Sequence, residues 1–140
     1  MKPPLYIGID PGINTGIAIK TATKTDLKTV KIHVAFMTIL NLSNDYQITV
    51  ICEDSRLRKW FGSNANMKQQ GAGAAKIQCT IWNDFLEDMK KTGRIFDFKM
   101  VHPIKNGTKI NEHIFKQISG CTGRTSEHAR DAYMLIHNKI

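Results

Sequence analysis

Several things are scarce in this sequence, and each scarcity excludes a class of protein. Only three of the 140 residues are cysteine, Cys52, Cys79 and Cys121, and they lie far apart. Neither a disulfide framework nor a CxxC metal knuckle is on offer, so each is expected to be a small reduced core residue. Acid is short as well. Twelve Asp+Glu stand against twenty Lys+Arg, for a formal charge of +8 and a pI near 9.5. A surplus of that size in a small protein favours a polyanionic partner, nucleic acid before an anionic membrane. No apolar run approaches the roughly eighteen residues of a spanning helix, and Met1-Lys2-Pro3-Pro4 lacks a signal-peptide core. The expectation is a chain without membrane association, cytoplasmic by default.

What is present is ordinary for a globular domain. Hydrophobic residues make up 41% and charged residues 23%, which argues against disorder. The length suits a single domain, residues 1–140, with a core that needs no staple.

Hydrophobic periodicity predicts the elements. Leu5 to Asp10 alternates, Pro11-Gly12 punctuates, and Gly16 to Lys20 reads as a returning strand. Val30 to Phe36 alternates again, which leaves Thr21 to Thr29 as an exposed polar turn. Asn41 to Gln47 offers only a short helix or loop, and Ile48 to Glu53 is a compact β-branched strand. A long helix is expected from about Asn66 to Lys90, with Met67, Gly71, Ala74, Ile77, Ile81, Phe85 and Met89 on its apolar face. Gly71 and Gly73 each cost that helix about 1 kcal/mol against Ala. Arg94 to Val101 reads as a fifth strand. Asn106-Gly107 is a turn, Thr108 caps a helix carrying Ile110, Ile114 and Ile118, and Gly120 ends it. Thr125 or Ser126 caps a last helix to about His137, with Ala129, Ala132, Tyr133 and Ile136 as its stripe. This order predicts an α/β fold, a mixed sheet with helices on its faces. The fourth strand beside the first would be parallel and need a crossover.

The acids group by element. Asp10 ends the first strand, Glu53 ends the fourth, and Asp131 lies one turn into the last helix. If the first and fourth strands are neighbours, Asp10 and Glu53 meet. His128 and Asp131 are three residues apart, so they share a helix face. Like carboxylates in one cleft repel unless a cation neutralises them. Mg²⁺ or Mn²⁺ suits such an oxygen-rich set, and His128 tolerates Mn²⁺. Two ions about 4 Å apart would serve phosphodiester hydrolysis.

Gly8-Ile9-Asp10-Pro11-Gly12-Ile13-Asn14-Thr15-Gly16 resembles the opening motif of RuvC-type Holliday junction resolvases, in the ribonuclease H-like superfamily. Ile51-Cys52-Glu53, with Asn64-Ala65-Asn66 and a Gly/Ala-rich helix after it, is similar to that family's second acidic motif. His128-Ala129-Arg130-Asp131-Ala132 resembles its closing motif. The three come in family order and span residues 5 to 136. The resemblance implies a ribonuclease H-like mixed five-stranded sheet flanked by helices. It also implies a metal-dependent, structure-selective endonuclease that resolves four-way DNA junctions as a homodimer in recombination and repair. Mg²⁺ is the implied cofactor, two ions per site, with Mn²⁺ as a substitute. Asp10, Glu53, His128 and Asp131 become the metal-binding catalytic quartet, with Asp54 a rival to Glu53 and Glu127 a rival to His128. Family resolvases also place basic residues near the scissile phosphate. Lys109 is the best positional match, with Lys105 and Lys116 behind it. Two departures stand out: the helix between the third and fourth strands shrinks to around Asn41 to Gln47 or is absent, and Gly120 to Arg124 is brief. A composition rich in Lys, Ile and Asn suits a phage or a low-GC bacterial genome, and thus an infected or bacterial cell.

A DNA-binding surface follows from charge. From Arg56 to Asn83 there are five cations, Arg56, Arg58, Lys59, Lys68 and Lys76, and no acid. Trp60 and Phe61 either stack on bases or wedge into an opened junction, or else cap the local core. A second basic run comprises Lys99, Lys105, Lys109, Lys116 and Arg124 against Glu112 alone. The helix near Gly71 to Ala75, or the one from Ile110, is available for a two-fold interface. Three other readings remain: a ribonuclease H-like nuclease on RNA or flaps, a non-catalytic junction-binding module, and an actin-like ATPase. The last is disfavoured by length and by the lack of a second phosphate loop.

Overall fold

A computed structural model describes residues 1–57, 73–103, 112–120 and 125–139. Five strands form one mixed sheet: β1 (Pro4–Asp10), β2 (Asn14–Lys20), β3 (Thr25–Lys31), β4 (Gln47–Glu53) and β5 (Asp97–Val101). Their order is β3-β2-β1-β4-β5. β1 and β2 form the antiparallel hairpin that Pro11-Gly12 predicts, with Asp10 opposite Gly16. β1 and β4 are parallel neighbours, paired from Pro4↔Gln47 to Ile9↔Cys52, as the adjacency argument requires. Among the described residues four α-helices flank the sheet: α1 (Ile32–Leu42), α2 (Gly73–Lys91), α3 (Glu112–Ser119) and α4 (Glu127–Met134). Among the described residues no helix is long and apolar enough to cross a membrane.

Alternation along β1 splits the core in two. Leu5, Ile7 and Ile9 join Ile48, Val50, Cys52, Ala35, Ile39, Trp82 and Leu86 beneath α1 and α2. Ala18, Ile51, Phe115, Ala132, Tyr133 and Ile136 pack beneath α3 and α4 on the opposite face.

The sequence expectation for the third strand needs correcting. Val30 to Phe36 is not a strand, and Thr21 to Thr29 is not merely a turn. Thr25–Lys31 is β3, and Ile32–Leu42 is an eleven-residue helix. The spacing of Ile32, Ala35, Phe36, Ile39 and Leu42 fits a helical face as well as Val30 to Phe36 fits alternation, and only a window out to Leu42 separates them. β3 is an edge strand of mostly exposed polar residues, so it has no apolar alternation to betray it. A full helix therefore joins the third and fourth strands, in place of the short or absent one expected around Asn41 to Gln47.

The buried face of α2 also differs from the expected one. Cys79, Trp82 and Leu86 are buried, while Ile77 is 63% and Ile81 44% exposed. Trp82 decides the rotation. Its ring lies 4.6 Å from Phe36 and 5.9 Å from Phe85, so the helix turns its largest aromatic side chain into the core against α1. The expected beginning of this helix, Asn66 to Ala72, lies outside the described residues, as do Thr108 and Ile110. β5 starts at Asp97 rather than Arg94, because Gly93 (φ +78) closes α2 with the Arg94 N–H on the Met89 carbonyl. Gly120 ends α3 and Ser126 caps α4, accepting from the Ala129 N–H. α4 proper stops at Met134, three residues short of His137, though turns continue far enough to bury Ile136.

Candidate functional site

The carboxyl ends of β1 and β4 carry Asp10 and Glu53, each one residue beyond the paired positions Ile9↔Cys52. In-register parallel neighbours point their side chains the same way, so both carboxylates leave the sheet on the α3/α4 face that Ile51 shares. α4 lies directly on that face. A Cβ on Gly16 would stand 2.0 Å from the His128 carbonyl oxygen, and one on Gly8 2.0 Å from that of Ala132. Only glycine at both positions lets helix backbone rest on strand backbone.

That seating brings the first turn of α4 to the strand end. His128 Nδ1 donates to Asp10 Oδ2 at 2.9 Å, with the His128 side chain 48% and that of Asp10 13% exposed. An ionised carboxylate only accepts, so the proton sits on Nδ1 and the ring's lone pair is left on Nε2. Asp131 follows one turn later, half-buried on the same helix. Two contacts fix the start of α4: the Ser126 hydroxyl is bonded to that of Thr29 on β3, and Arg130 Nη1 donates to the Thr125 carbonyl at 2.6 Å.

Asp54 takes the other side of β4 and is 1% exposed. Arg56 grips it through Nε at 2.9 Å, Nη2 at 2.8 Å and its backbone N–H at 3.0 Å. Burial pushes the Asp54 carboxyl up, but the Arg56 hydrogen bonds and charge outweigh this and hold it below the usual carboxylate range. Of the two adjacent acids, Glu53 faces the site and Asp54 is a structural anchor. Arg56 is correspondingly committed to Asp54, with Nη1 3.4 Å from Thr80 Oγ1. Glu127 is exposed on the first turn of α4, and His128 is the residue that meets Asp10.

Behind Glu53, the thiols of Cys52 and Cys79 lie 3.6 and 3.8 Å from its carbonyl oxygen. Both are buried and free, and desolvation pushes the Cys52 thiol well up, which makes it inert. They are the reduced core residues that their isolation in sequence suggests. Lys76, on the first turn of α2, and Lys116, on α3, are both half-buried. Arg58, Lys59, Trp60, Phe61, Lys68, Lys105, Lys109, Cys121 and Arg124 lie outside the described residues. Among the described residues, no three His, Cys, Asp or Glu side chains draw together as a ready metal-binding group.

Sequence reasoning missed three features: the Asp54–Arg56 grip, the hydroxyl pair Thr29–Ser126, and Phe115. Phe115 is fully buried against Tyr133, ring centroids 5.2 Å apart. Only the first had a signal, an acid and a cation two residues apart at a strand end. A comparison with known protein families and with curated proteins finds no match for this chain.

Proposed function

We propose that the protein is a metal-dependent, structure-selective endonuclease of ribonuclease H-like fold that resolves Holliday junctions by paired phosphodiester hydrolysis. The observation that carries this reading is the 2.9 Å contact between Asp10 and His128, residues 118 positions apart, beside Glu53. Residues from all three resolvase-like motifs thus lie at one end of one sheet, with Asp10 and His128 in direct contact. The surplus of eight positive charges suits a DNA partner.

The donor set, three carboxylates and one imidazole, fits a hard divalent cation such as Mg²⁺, with Mn²⁺ as substitute. Asp10, Glu53, His128 and Asp131 would hold it. When bound, such ions lower the pKa of a water and offset charge on the leaving oxygen. The chain's own contribution is placement. Asp10 orients the His128 ring, Gly8 and Gly16 seat α4, and the Asp54–Arg56 grip fixes the strand end that presents Glu53. Lys109, Lys116 and the cations from Arg58 to Lys76 are the proposed phosphate contacts. A two-fold homodimer matches the two strands to be cut.

The test is cleavage of a synthetic four-way junction and a matched linear duplex, with Mg²⁺, Mn²⁺ or EDTA, by wild type, Asp10→Asn and Asp131→Asn. Paired nicks dependent on metal and on both aspartates are expected, with junction binding kept in both variants. Normal cutting by Asp131→Asn would show the site to be elsewhere. Equal cutting of both substrates would leave a nuclease without junction selectivity, and tight binding without cutting would leave a junction-binding module.

A further inference from the structure

The flank of the site away from Arg56 carries a cation that neither basic stretch of the sequence includes. β2 runs antiparallel to β1, and β3 to β2. The start of β2 and the end of β3 therefore reach the same sheet edge as Asp10 and Glu53. Asn14 and Lys31 are register partners there, and Lys31 Nζ donates to Asn14 Oδ1 at 3.0 Å. Both point to the α4 face. Asn14 is two residues from Gly16, which lies under α4, and Lys31 is two residues from Thr29, whose hydroxyl meets Ser126.

Lys31 is exposed, and among the described residues it joins no ion pair. Its partner is a neutral amide, which restrains the ammonium without cancelling its charge. A carboxylate in the same place would do both. Lys31 stands two strands from β1, roughly 10 Å across the sheet, within a few nucleotides' reach along a bound strand. Phosphate contacts at that range set the register of a strand over a reacting centre without reading its sequence.

We propose that Lys31, held by Asn14, binds a backbone phosphate of the DNA strand that crosses the Asp10 site. The proposal rests on the nuclease reading and adds a substrate-positioning residue to it. Fluorescence anisotropy of a labelled four-way junction, with the full-length protein in EDTA over a series of salt concentrations, tests it. Lys31→Gln and Lys31→Met should both weaken binding several-fold and lower the slope of log K against log[salt] by about one. Lys31→Arg should keep the slope, and Asn14→Ala should keep it while weakening binding less. Thermal melts would show that the exposed substitutions leave the fold intact. An unchanged slope in both neutral variants, with wild type binding well, overturns this inference and leaves the nuclease reading standing. Failure of wild type to bind junction or duplex at any salt overturns both.

Discussion

Glu53 and Asp54 are adjacent acids with opposite roles, and the difference is one step of strand alternation. Glu53 leaves β4 toward α4, whereas Asp54 is buried and gripped by Arg56. Because the Asp54 carboxyl is held below its unfolded value of about 3.9, it contributes stability above that pH and loses it as pH falls through the folded value. Arg56→Gln leaves the carboxylate buried without its cation, so it should cost about 3 kcal/mol at neutral pH. The gap from wild type should narrow in acid, once Asp54 is protonated in both. Urea melts at pH 7, 5 and 3 would show this, and a gap independent of pH would assign the cost to packing. The same grip explains why a residue in a basic stretch need not face a ligand: sequence shows the charge, but the partner two residues away decides where it points.

At the level of elements, the helices divide by what their sequence signals had to compete with. α4 was legible, cap and stripe alike, because Ser126 and the spacing of Ala129, Ala132, Tyr133 and Ile136 agree with each other. α2 was legible as a helix but not in its orientation. Two stripes share Phe85 and Met89, and Trp82 selects between them by packing on Phe36, a residue of another helix. Trp82→Ala should therefore cost about 3–5 kcal/mol. Trp82→Phe should cost much less, since the buried indole N–H has no acceptor among the described residues. Equal losses in the two variants, by chemical denaturation, would mean that the N–H is satisfied. α4 makes the second prediction at this scale. In Gly16→Ala the new Cβ meets the His128 carbonyl at 2.0 Å, so the helix must lift from β2. A loss of about 1–3 kcal/mol is expected, and under the proposed nuclease function junction cleavage falls further than the melting temperature explains. Full cleavage by a destabilised Gly16→Ala protein would separate the seat of α4 from the chemistry.

For the whole molecule, the sheet order matters most. Placing β4 beside β1 in parallel turns two acids 43 residues apart in sequence into neighbours, and the β3-β2 hairpin carries Lys31 to the same edge. If the protein cuts two strands symmetrically, its mass by sedimentation should be twice 15.8 kDa, and a monomer at assay concentrations would oppose paired cleavage.

The sequence by itself determined the α/β class, the strands β1, β2 and β4, the cap and stripe of α4, the charge and the acids worth watching. These are local signals: period, punctuation and residue chemistry within one element. Only the tertiary structure decided that Thr25–Lys31 is an edge strand and Ile32–Leu42 a helix, and that α2 turns Trp82 inward and Ile77 outward. It alone set Glu53 rather than Asp54 on the site's face and brought His128 to Asp10. Each of those depends on which partner buries a surface or accepts a hydrogen bond, and that partner lies far away along the chain.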